Sequence, residues 1–528
     1  MQATLSQLNH LPLKVKAFSF SLAVMILAEI LLSPLSSVAC PSAAVARASL
    51  VFITIYSITR FTLQSCPLTK QRTVDIFTGF LALVLFAVLT WTGFLVTKGL
   101  NAAFPEFKVS SIALLLGVPY SVGGLILQVV LGFRYSLLYT LSTVILTILY
   151  IPNDATLLAT YTLVTTFVGC LSLAQTRSRS AFFTSALKIG ALAILFGLAS
   201  LLYQETFIMQ EVFARLIGLA IVTFATFLLA TGFMPIVEYI GGYVTDIRLL
   251  EMATLDHPLL KDLSVHAPGT WNHSMAMGMM AEAAADAIGA NSVVARVGAY
   301  FHDIGKIKKP LYFIENQLPG DNRHDKLSPS MSALIIRAHV KDGVELAKKH
   351  ALPQILIDMI EQHHGTSLIE FFHEKALKEA ELQTSGAVVD VSHYTYPGPK
   401  PQTREAGILM LADGIEAASR LLDDPTADRI QGMVQKKINK VFTSGQLSEC
   451  EITLRDLHVI AKSFTRVLVG IHHHRINYGE PVEKTARPAI DSTGDISHPN
   501  INEESLDDKP EQIRRLGLVA SDTAIRRK

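Results

Sequence analysis

Residues 74–97 read VDIFTGFLALVLFAVLTWTGFLVT and contain one charged side chain, Asp75, at the second position. A helix of about 20 mostly apolar residues crosses the hydrocarbon core of a bilayer, which is about 30 Å thick. This stretch is therefore long enough and apolar enough to cross a membrane. It predicts an α-helical membrane domain in the first half of the chain.

Seven other stretches of the first half have the same character. Acidic residues are almost absent before residue 245, where the chain has only seven, and hydrophobic residues make up 50% of the 528 residues. We therefore predict a polytopic helical domain, with an N-terminal segment 1–45 and a seven-helix bundle at 46–240. The eight stretches lie at about 16–35, 46–65, 74–97, 109–131, 135–152, 155–174, 182–203 and 212–236.

The basic residues of the short loops predict the orientation, because such loops are retained on the cytoplasmic side. With the amino terminus inside, most of them fall inside, against Lys98 and Lys108 on the other side. The pattern places the region after residue 240 in the cytoplasm. The inside residues are Lys14, Lys16, Lys70, Arg72, Arg134, Arg177 and Arg179.

The first apolar stretch has two interpretations. Lys14 and Lys16 ahead of an apolar run, with small residues at 37–39 before Cys40, also fit a secretory signal peptide. The run is long for a signal core and contains Glu29, so we favour a retained helix. Either interpretation leaves the last helix of the bundle ending on the cytoplasmic side.

The second half has a different composition. Of the 17 His residues, 16 lie beyond residue 250, and residues 241–485 show the apolar periodicity of a soluble helical domain. Residues 486–528 are polar and are predicted to be disordered. A net charge of +1 argues against binding to a nucleic-acid polymer, which needs a concentrated basic surface.

Seven potential metal ligands follow one another in this domain. Imidazole and carboxylate donors suit a borderline transition metal, and five His with two Asp can hold two ions. Helical periodicity places most of them on helices or at helix ends, for example in a helix after Asn291 that Gly305 ends. Manganese and iron both accept such ligands. The seven are His273, His302, Asp303, His339, His363, His364 and Asp413.

The order of these ligands resembles that of the HD-domain phosphohydrolases, and longer strings resemble the seven-transmembrane HD family, whose PgpH-type members hydrolyse cyclic di-AMP. Family members typically carry a large extracytoplasmic domain after a first helix, whereas here about ten residues, 36–45, separate the first two helices. The chain is therefore similar to a version without that domain. The strings are DHPLL (256–260), APGT (267–270), HDIGK (302–306), EQHHGT (361–366) and YPGPKP (396–401).

The resemblance implies two metal sites. His273, His302, Asp303 and Asp413 would bind one ion, the residues His339, His363 and His364 would bind the other, and Asp303 would bridge them. Two such cations activate water for attack on phosphorus and neutralise phosphate oxygens.

Four further residues are candidates for the reaction. Lys306 could stabilise charge on the phosphate. The alternative is that it is a surface or salt-bridged lysine without a role in the reaction. Arg404 could contact phosphate but could equally be solvated at a helix start. Tyr394 and Tyr396 could stack on adenine or simply pack a loop.

We therefore expect a membrane-anchored phosphodiesterase that converts cyclic di-AMP to pApA. One alternative is hydrolysis of another nucleotide. HD-GYP relatives, which cleave cyclic di-GMP, carry Gly-Tyr-Pro after the His pair, whereas here Thr366 follows Gly365. Another alternative is a membrane receptor or transporter with a nucleotide-binding HD module, which predicts damaged ligands. The expected partners are a cyclic dinucleotide and the lipid bilayer, and homo-oligomerisation is left open.

Overall fold

The structure is a computed structural model that describes most of the chain. Every described residue belongs to one compact unit, which lies within Met1–His473. The predicted polar tail, residues 486–528, and the small residues 37–39 lie outside the described residues. The described residues are 8–36, 40–66, 72–104, 110–151, 155–173, 178–204, 208–318, 320, 322–382 and 388–472.

The described residues are helical, which confirms the predicted all-α class. They contain no β-strand, only an isolated antiparallel bridge between Leu368 and Thr395. The α-helices are α1 Leu13–Leu31, α2 Pro41–Ser65, α3 Thr73–Ala103, α4 Ser111–Leu115, α5 Val122–Val130, α6 Phe133–Tyr150, α7 Ala155–Ser172, α8 Ser180–Tyr203, α9 Met209–Gly241, α10 Asp246–Met252, α11 Pro258–His266, α12 Pro268–Ile288, α13 Ser292–Phe301, α14 Pro329–Lys349, α15 Gln354–Gln362, α16 Glu370–Leu382, α17 Arg404–Ser419, α18 Ala427–Thr443 and α19 Leu454–Ile471.

Six of these helices, α2, α3, α6, α7, α8 and α9, are long and apolar enough to cross a membrane. Large apolar side chains such as Ile217 and Phe224 on α9 point away from the protein, 60% and 66% exposed. Such a surface is stable in lipid, where apolar side chains need no cover and the helix satisfies its own backbone hydrogen bonds. The chain is a multi-pass membrane protein.

The fourth predicted stretch, residues 109–131, is not one helix, and this prediction was wrong in detail. Pro119 separates α4 from α5, because proline lacks the N–H that a helix interior needs and disfavours helix at the residue before it. Two buried tyrosines supply the missing hydrogen bonds. Tyr161 donates to the carbonyl of Leu116 at 2.9 Å, and Tyr139 donates to the carbonyl of Tyr120 at 2.6 Å. The break is thus stabilised inside the bundle.

Glu29, near the end of α1, has partners on two other helices. Arg47 on α2 donates to the Glu29 carboxylate at 2.7 Å, and Tyr150 on α6 donates to it at 2.6 Å. A carboxylate in the membrane is costly unless it is paired. These contacts therefore hold α1 against α2 and α6, so the role of Glu29 is to stabilise the packing of the helix bundle.

The junction between the bundle and the soluble domain is a buried polar cluster. Gly242 ends α9 in the left-handed conformation with φ +65°, which favours glycine. The next residue, Tyr243, donates to Asp75 at 3.0 Å, and Asp75 is also paired with Arg72 at 3.0 Å. Tyr243, the second residue after the last membrane helix, is therefore held to the start of α3.

The soluble domain is built around α12, which packs against α13, α17 and α19. Its helices begin at residues with capping side chains: the side chains of Asn291, Ser328 and Thr403 accept hydrogen bonds from the first backbone N–H groups of α13, α14 and α17. The predicted helix after Asn291 is confirmed as α13. It ends at Phe301, however, and Gly305 lies in a following 3₁₀ helix, Ile304–Lys308, so glycine is not what ends it.

Candidate metal centre

The structure brings all seven predicted ligands together from five segments of the chain. His273 lies on α12, His302 follows α13, and His339 lies on α14. His363 and His364 follow α15, and Asp413 lies on α17. Their donor atoms fall into three groups whose members lie within 4.8 Å of one another. These groups are His273, His302 and Asp413; His339, His363 and His364; and His302, Asp303 and His363.

Asp303 lies between the first two groups. One carboxylate oxygen, Oδ2, is 3.1 Å from Nε2 of His302, and the other, Oδ1, is 3.3 Å from Nε2 of His339 and 3.7 Å from Nε2 of His363. The side chain is 2% exposed. One carboxylate therefore faces histidines of both groups, which is the arrangement that a bridging ligand requires.

Backbone carbonyls fix the orientation of three imidazoles. Nδ1 of His302 lies 2.7 Å from the carbonyl of Ala299, and Nδ1 of His363 lies 2.7 Å from the carbonyl of Ile360. Nδ1 of His339 contacts the carbonyl of Ile336 in the same way. A carbonyl oxygen only accepts, so each Nδ1 carries the hydrogen, and each neutral ring points the lone pair of Nε2 into the centre.

This arrangement fits a metal. Nε2 of His339 and Nε2 of His363 lie 3.2 Å apart, although each carries a lone pair and no hydrogen when the rings are neutral. The buried side-chain atoms of the described residues that lack a hydrogen-bond partner include Nε2 of His302 and Oδ1 of Asp303. Buried polar atoms are nearly always paired, and an unpaired group points to an ion or water. Metal cations held by these residues would satisfy all four atoms.

The protonation of the histidines differs between the two groups. Burial alone would lower the pKa of His273, but hydrogen bonds to Asp413 and Glu416 outweigh it and raise this pKa to about 9. Burial and the neighbouring histidines lower the pKa of His363 well below its usual value, and burial lowers that of His364 to about 3. His339 shifts downward as well, chiefly by burial. The second group is neutral and ready to bind a metal.

Glu416, which the sequence analysis missed, holds His273. Its carboxylate lies 2.5 Å from Nδ1 of His273, and Arg420 pairs with the other carboxylate oxygen at 2.7 Å. Glu416 is three residues beyond Asp413 on α17, so both acids face His273 from one side of the helix. A carboxylate behind a ligating histidine orients the ring and raises its basicity. The i, i+3 spacing of Asp413 and Glu416 was the signal that could have identified it.

Lys306 is buried in an ion-pair network. Its ammonium lies 2.7 Å from Asp303 and 2.8 Å from Glu315, above the ring of Phe313. Burial disfavours the charge, yet these two carboxylates raise the pKa of Lys306 above its usual value. Burial likewise acts against ionised Asp303, but His302 and Lys306 hold its pKa well below the usual range. Lys306 is charged and in contact with the central carboxylate. Glu315 was also missed by the sequence analysis, since it belongs to no ligand motif.

Glycine is required at two positions beside the ligands. A Cβ on Gly305 would lie 1.9 Å from the carbonyl oxygen of His339, so only glycine lets the segment after Asp303 pack against α14. Gly365 has φ +51°, and its Cβ would meet Gln446 at 2.6 Å. It turns the chain directly after the His pair. The glycines of HDIGK and QHHGT thus hold the ligand segments together.

The tyrosines and Arg404 lie in different places. The ring of Tyr396 stacks on His364 with centroids 4.2 Å apart. Tyr394 instead packs with Phe372 and Ala376, and its ring contacts the ring of His373. Arg404 begins α17, about 13 Å along the helix axis from Asp413, and donates to the carbonyl of Ile288 at 2.5 Å. The structure therefore places Tyr396 at the centre, but neither Tyr394 nor Arg404.

Two family models match the chain. The model described as "7TM receptor with intracellular HD hydrolase" matches residues 41–245, and the model described as "HD domain" matches residues 270–418. The first match begins at the start of α2, and the second spans every predicted ligand from His273 to Asp413.

Two curated relatives match over most of the chain. The protein named cyclic-di-AMP phosphodiesterase PgpH from Bacillus subtilis is 36% identical over 409 residues, which cover 76% of this chain and 56% of the relative. The protein of the same name from Listeria monocytogenes is 38% identical over 375 residues, covering 70% of this chain and 51% of the relative. The chain thus spans about half the length of these relatives.

Solved structures of the HD domain of the Listeria monocytogenes phosphodiesterase PgpH also match. The structure in complex with cyclic di-AMP is 44% identical and covers 42% of this chain and 100% of the solved chain, with a TM-score of 0.39. A structure described without that ligand is 45% identical, with the same TM-score.

Proposed function

This chain belongs to the family of seven-transmembrane proteins with an intracellular HD hydrolase, and we propose that it is a membrane-anchored phosphodiesterase that hydrolyses cyclic di-AMP to pApA. The observation that carries the proposal is the gathering of five His side chains and Asp413 around the buried carboxylate of Asp303. The names of the two curated relatives supply the substrate. A receptor or transporter with an inactive HD module would not need an intact ligand set.

An HD domain implies divalent metal, and we propose two transition-metal ions, manganese or iron. His273, His302, Asp303 and Asp413 would hold one, the residues His339, His363 and His364 would hold the other, and Asp303 would bridge them. When bound, such ions supply Lewis-acid activation of water and neutralise phosphate charge. Hydrolysis adds water across one phosphodiester, so the bond to the ribose 3′ oxygen breaks and the linear product keeps a 5′ phosphate.

The remaining side chains prepare this reaction. Glu416 keeps the ring of His273 oriented, and Lys306 keeps Asp303 ionised and adds positive charge where a phosphate would accumulate negative charge. Because Lys306 is fixed between two carboxylates, its main part is to position Asp303 and to balance its charge. Direct contact between Lys306 and the phosphate of the substrate is a secondary role in this proposal.

The exposure of the ligands indicates the direction of substrate entry. The side chains of His364 and Asp413 are 23% and 16% exposed, whereas those of Asp303 and His339 are 2% exposed. A phosphate would therefore approach past His364 and Asp413. Tyr396, which stacks on His364, lies on this route and is the better of the two tyrosines to contact a base. Arg404 and Tyr394 keep only a structural role in this proposal.

We further propose that the soluble domain, residues 241–485, lies in the cytoplasm below the inner membrane. The support is the distribution of basic residues. Arg72 lies at the start of α3 and Arg179 at the start of α8, and both contact residues that follow α9. Arg72 contacts Tyr243 directly, over its ring at 5.5 Å, and Arg179 pairs with Glu251 at 2.5 Å. The side of the membrane that retains these arginines also holds the HD domain.

The experiment that tests the proposal uses the full chain purified in detergent. It is stripped with a chelator, supplied in turn with manganese or ferrous iron, and incubated with cyclic di-AMP, cyclic di-GMP or pApA. We expect selective conversion of cyclic di-AMP to pApA, and the more active metal identifies the cofactor. Turnover of cyclic di-GMP alone, or of no substrate with two metals bound, would contradict the proposal.

A further inference from the structure

We propose that the groove between α18 and α19 of the soluble domain is a second ligand site, which binds a phosphate-bearing anion and is separate from the metal centre. The groove encloses about 460 Å³. Its lining combines basic and amide side chains with one hydroxyl: Gln431, Gln435, His458, Lys462, Thr465 and Arg466. The inference does not depend on the reaction at the metal centre.

The basic residues of the groove form one stripe. His458, Lys462 and Arg466 are spaced four residues apart on α19, so their side chains lie above one another on the same face. Like charges at this spacing destabilise a helix. Among the described residues, no acidic side chain pairs with any of the three. No ion pair among the described residues therefore accounts for the stripe.

Two of the four basic side chains of the neighbouring helix, α18, have acidic partners. On α18, Lys440 pairs with Glu370 at 2.5 Å, and Arg429 pairs with Asp424 at 3.4 Å. No acid lines the groove itself, whose only apolar residue is Ala461. Ala461 is buried, and its small side chain leaves space between Lys462 and Thr465. The space and the unpaired cations thus occur at the same place.

The chemistry of the lining selects phosphate. A guanidinium and an ammonium are both donors, and charge-assisted hydrogen bonds to phosphate oxygens are the strong ones. The amide group of Gln431 can add a neutral donor. The ligand is accordingly an anion with several acceptor oxygens, either a soluble phosphate compound or a phosphate headgroup of a lipid.

The groove also lies where a ligand could affect the metal centre. The inner face of α19 packs against α12, the helix that carries His273. Its last turn reaches α17, where Nε2 of His472 lies 3.3 Å from the hydroxyl of Ser419, three residues beyond Glu416. A ligand on the outer face of α19 is thus one helix away from the side chains that hold His273.

The test uses the full chain in neutral detergent with its metals removed by a chelator, so that phosphate binding at the metal centre is suppressed. Inorganic pyrophosphate is titrated calorimetrically to probe a soluble ligand. Native mass spectrometry of the protein in micelles containing phosphatidylglycerol or phosphatidylcholine probes a lipid headgroup. We expect saturable binding of pyrophosphate or selective retention of phosphatidylglycerol, and the arm that responds identifies the source.

Two double variants distinguish the groove from general surface charge. K462Q/R466Q removes two groove cations, and K348Q/K349Q removes two exposed cations from the end of α14. We expect the first to weaken binding about tenfold or more, since it removes charge-assisted hydrogen bonds, and the second to leave it unchanged. Equal binding by both variants, or no binding of either probe by the unaltered chain, would overturn the proposal. Thermal unfolding of both variants confirms that they are folded.

Discussion

Nε2 of His339 and Nε2 of His363 lie 3.2 Å apart, and neither carries a hydrogen when the rings are neutral, because each Nδ1 is bonded to a backbone carbonyl. Two lone pairs at this distance repel each other. Protonation does not relieve the repulsion easily, since burial lowers the pKa of both rings. A shared metal ion does relieve it, so the contact is evidence for metal in the second ligand group.

Removing metal should therefore destabilise the soluble domain. An ion at about 1,000 times its dissociation constant stabilises a folded protein by about 4 kcal/mol, provided that it does not bind the unfolded chain. We expect a chelator to lower the unfolding temperature of the soluble domain and added manganese to restore it. The measurement is thermal unfolding of the full chain in detergent, followed by tryptophan fluorescence, since Trp271 lies on α12.

The matched control is a histidine outside the centre. His393 has 67% of its side chain exposed, so His393→Gln should respond to the chelator as the unaltered chain does. His339→Gln should start at a lower unfolding temperature and respond less to the chelator. An equal response of His339→Gln and His393→Gln would show that the stabilising metal binds elsewhere.

Asp303→Asn should abolish turnover and reduce the metal content to fewer than two ions per chain, because Asp303 faces histidines of both groups. The substitution keeps the size of the side chain and removes its charge, so loss of packing is a poor explanation for the effect. Metal is counted by mass spectrometry of the eluted ions, and turnover by the release of pApA. Full activity with two bound ions would disprove the bridging role.

Glu416→Gln should weaken metal binding without destroying the site. Side chains that hydrogen-bond to metal-binding histidines typically contribute about 10- to 100-fold in affinity or activity, and Glu416 is the partner of Nδ1 of His273. We expect low activity at limiting manganese and recovery at high manganese. Glu374→Gln, an exposed residue of α16, is the control and should match the unaltered chain at both concentrations. Failure of excess metal to rescue the variant would indicate a role beyond positioning.

Metal binding to the first ligand group should release a proton from His273. Its pKa in the metal-free protein is raised to about 9, so the ring is protonated at neutral pH, whereas a metal requires the neutral form. Affinity at this group should therefore increase as the pH rises towards 9. His364, with a pKa of about 3, is already neutral and releases none.

Calorimetric titration of manganese in two buffers with different ionisation enthalpies measures this proton. We expect Glu416→Gln to release less of it, because the variant loses one of the hydrogen bonds that raise the pKa of His273. Identical proton release by the variant and the unaltered chain would contradict the assignment to His273.

The sequence identified the seven side chains that the structure brings together, because they occur in short strings whose spacing is set by local structure. His302 and Asp303 follow a capped helix, and Gly365 turns the chain directly after the His pair. The length and apolar composition of the stretches were equally sufficient for the six long membrane helices. In both cases the signal lies within one segment of the chain.

The features that the sequence did not predict depend on contacts between distant segments. Glu315 meets Lys306, and Arg404 turns to the carbonyl of Ile288 rather than to a phosphate, because of how the helices pack. The break at Pro119 was overlooked because the stretch as a whole is apolar, although proline was a local signal against a helix. Gly305 was interpreted as a helix terminator, whereas its function is a close approach to α14.

That close approach yields the last prediction. Gly305→Ala places a methyl group 1.9 Å from the carbonyl oxygen of His339 and 2.6 Å from the backbone nitrogen of Gly343. Both neighbours are backbone atoms, so α14 has to move away from Asp303. We expect a loss of about 3 kcal/mol, the upper end of the usual cost of overpacking, together with loss of the metal that His339 would bind.

Gly432→Ala, on α18, is the matched control. Nothing lies within 4 Å of its Cβ position, and alanine in an exposed helix is favoured over glycine by about 1 kcal/mol. The control should therefore be slightly more stable and keep both metals. Denaturant unfolding and metal analysis of both variants decide the matter. If Gly305→Ala kept two ions and its stability, the segment after Asp303 would not need to touch α14, and the geometry between Asp303 and His339 would be set by other contacts.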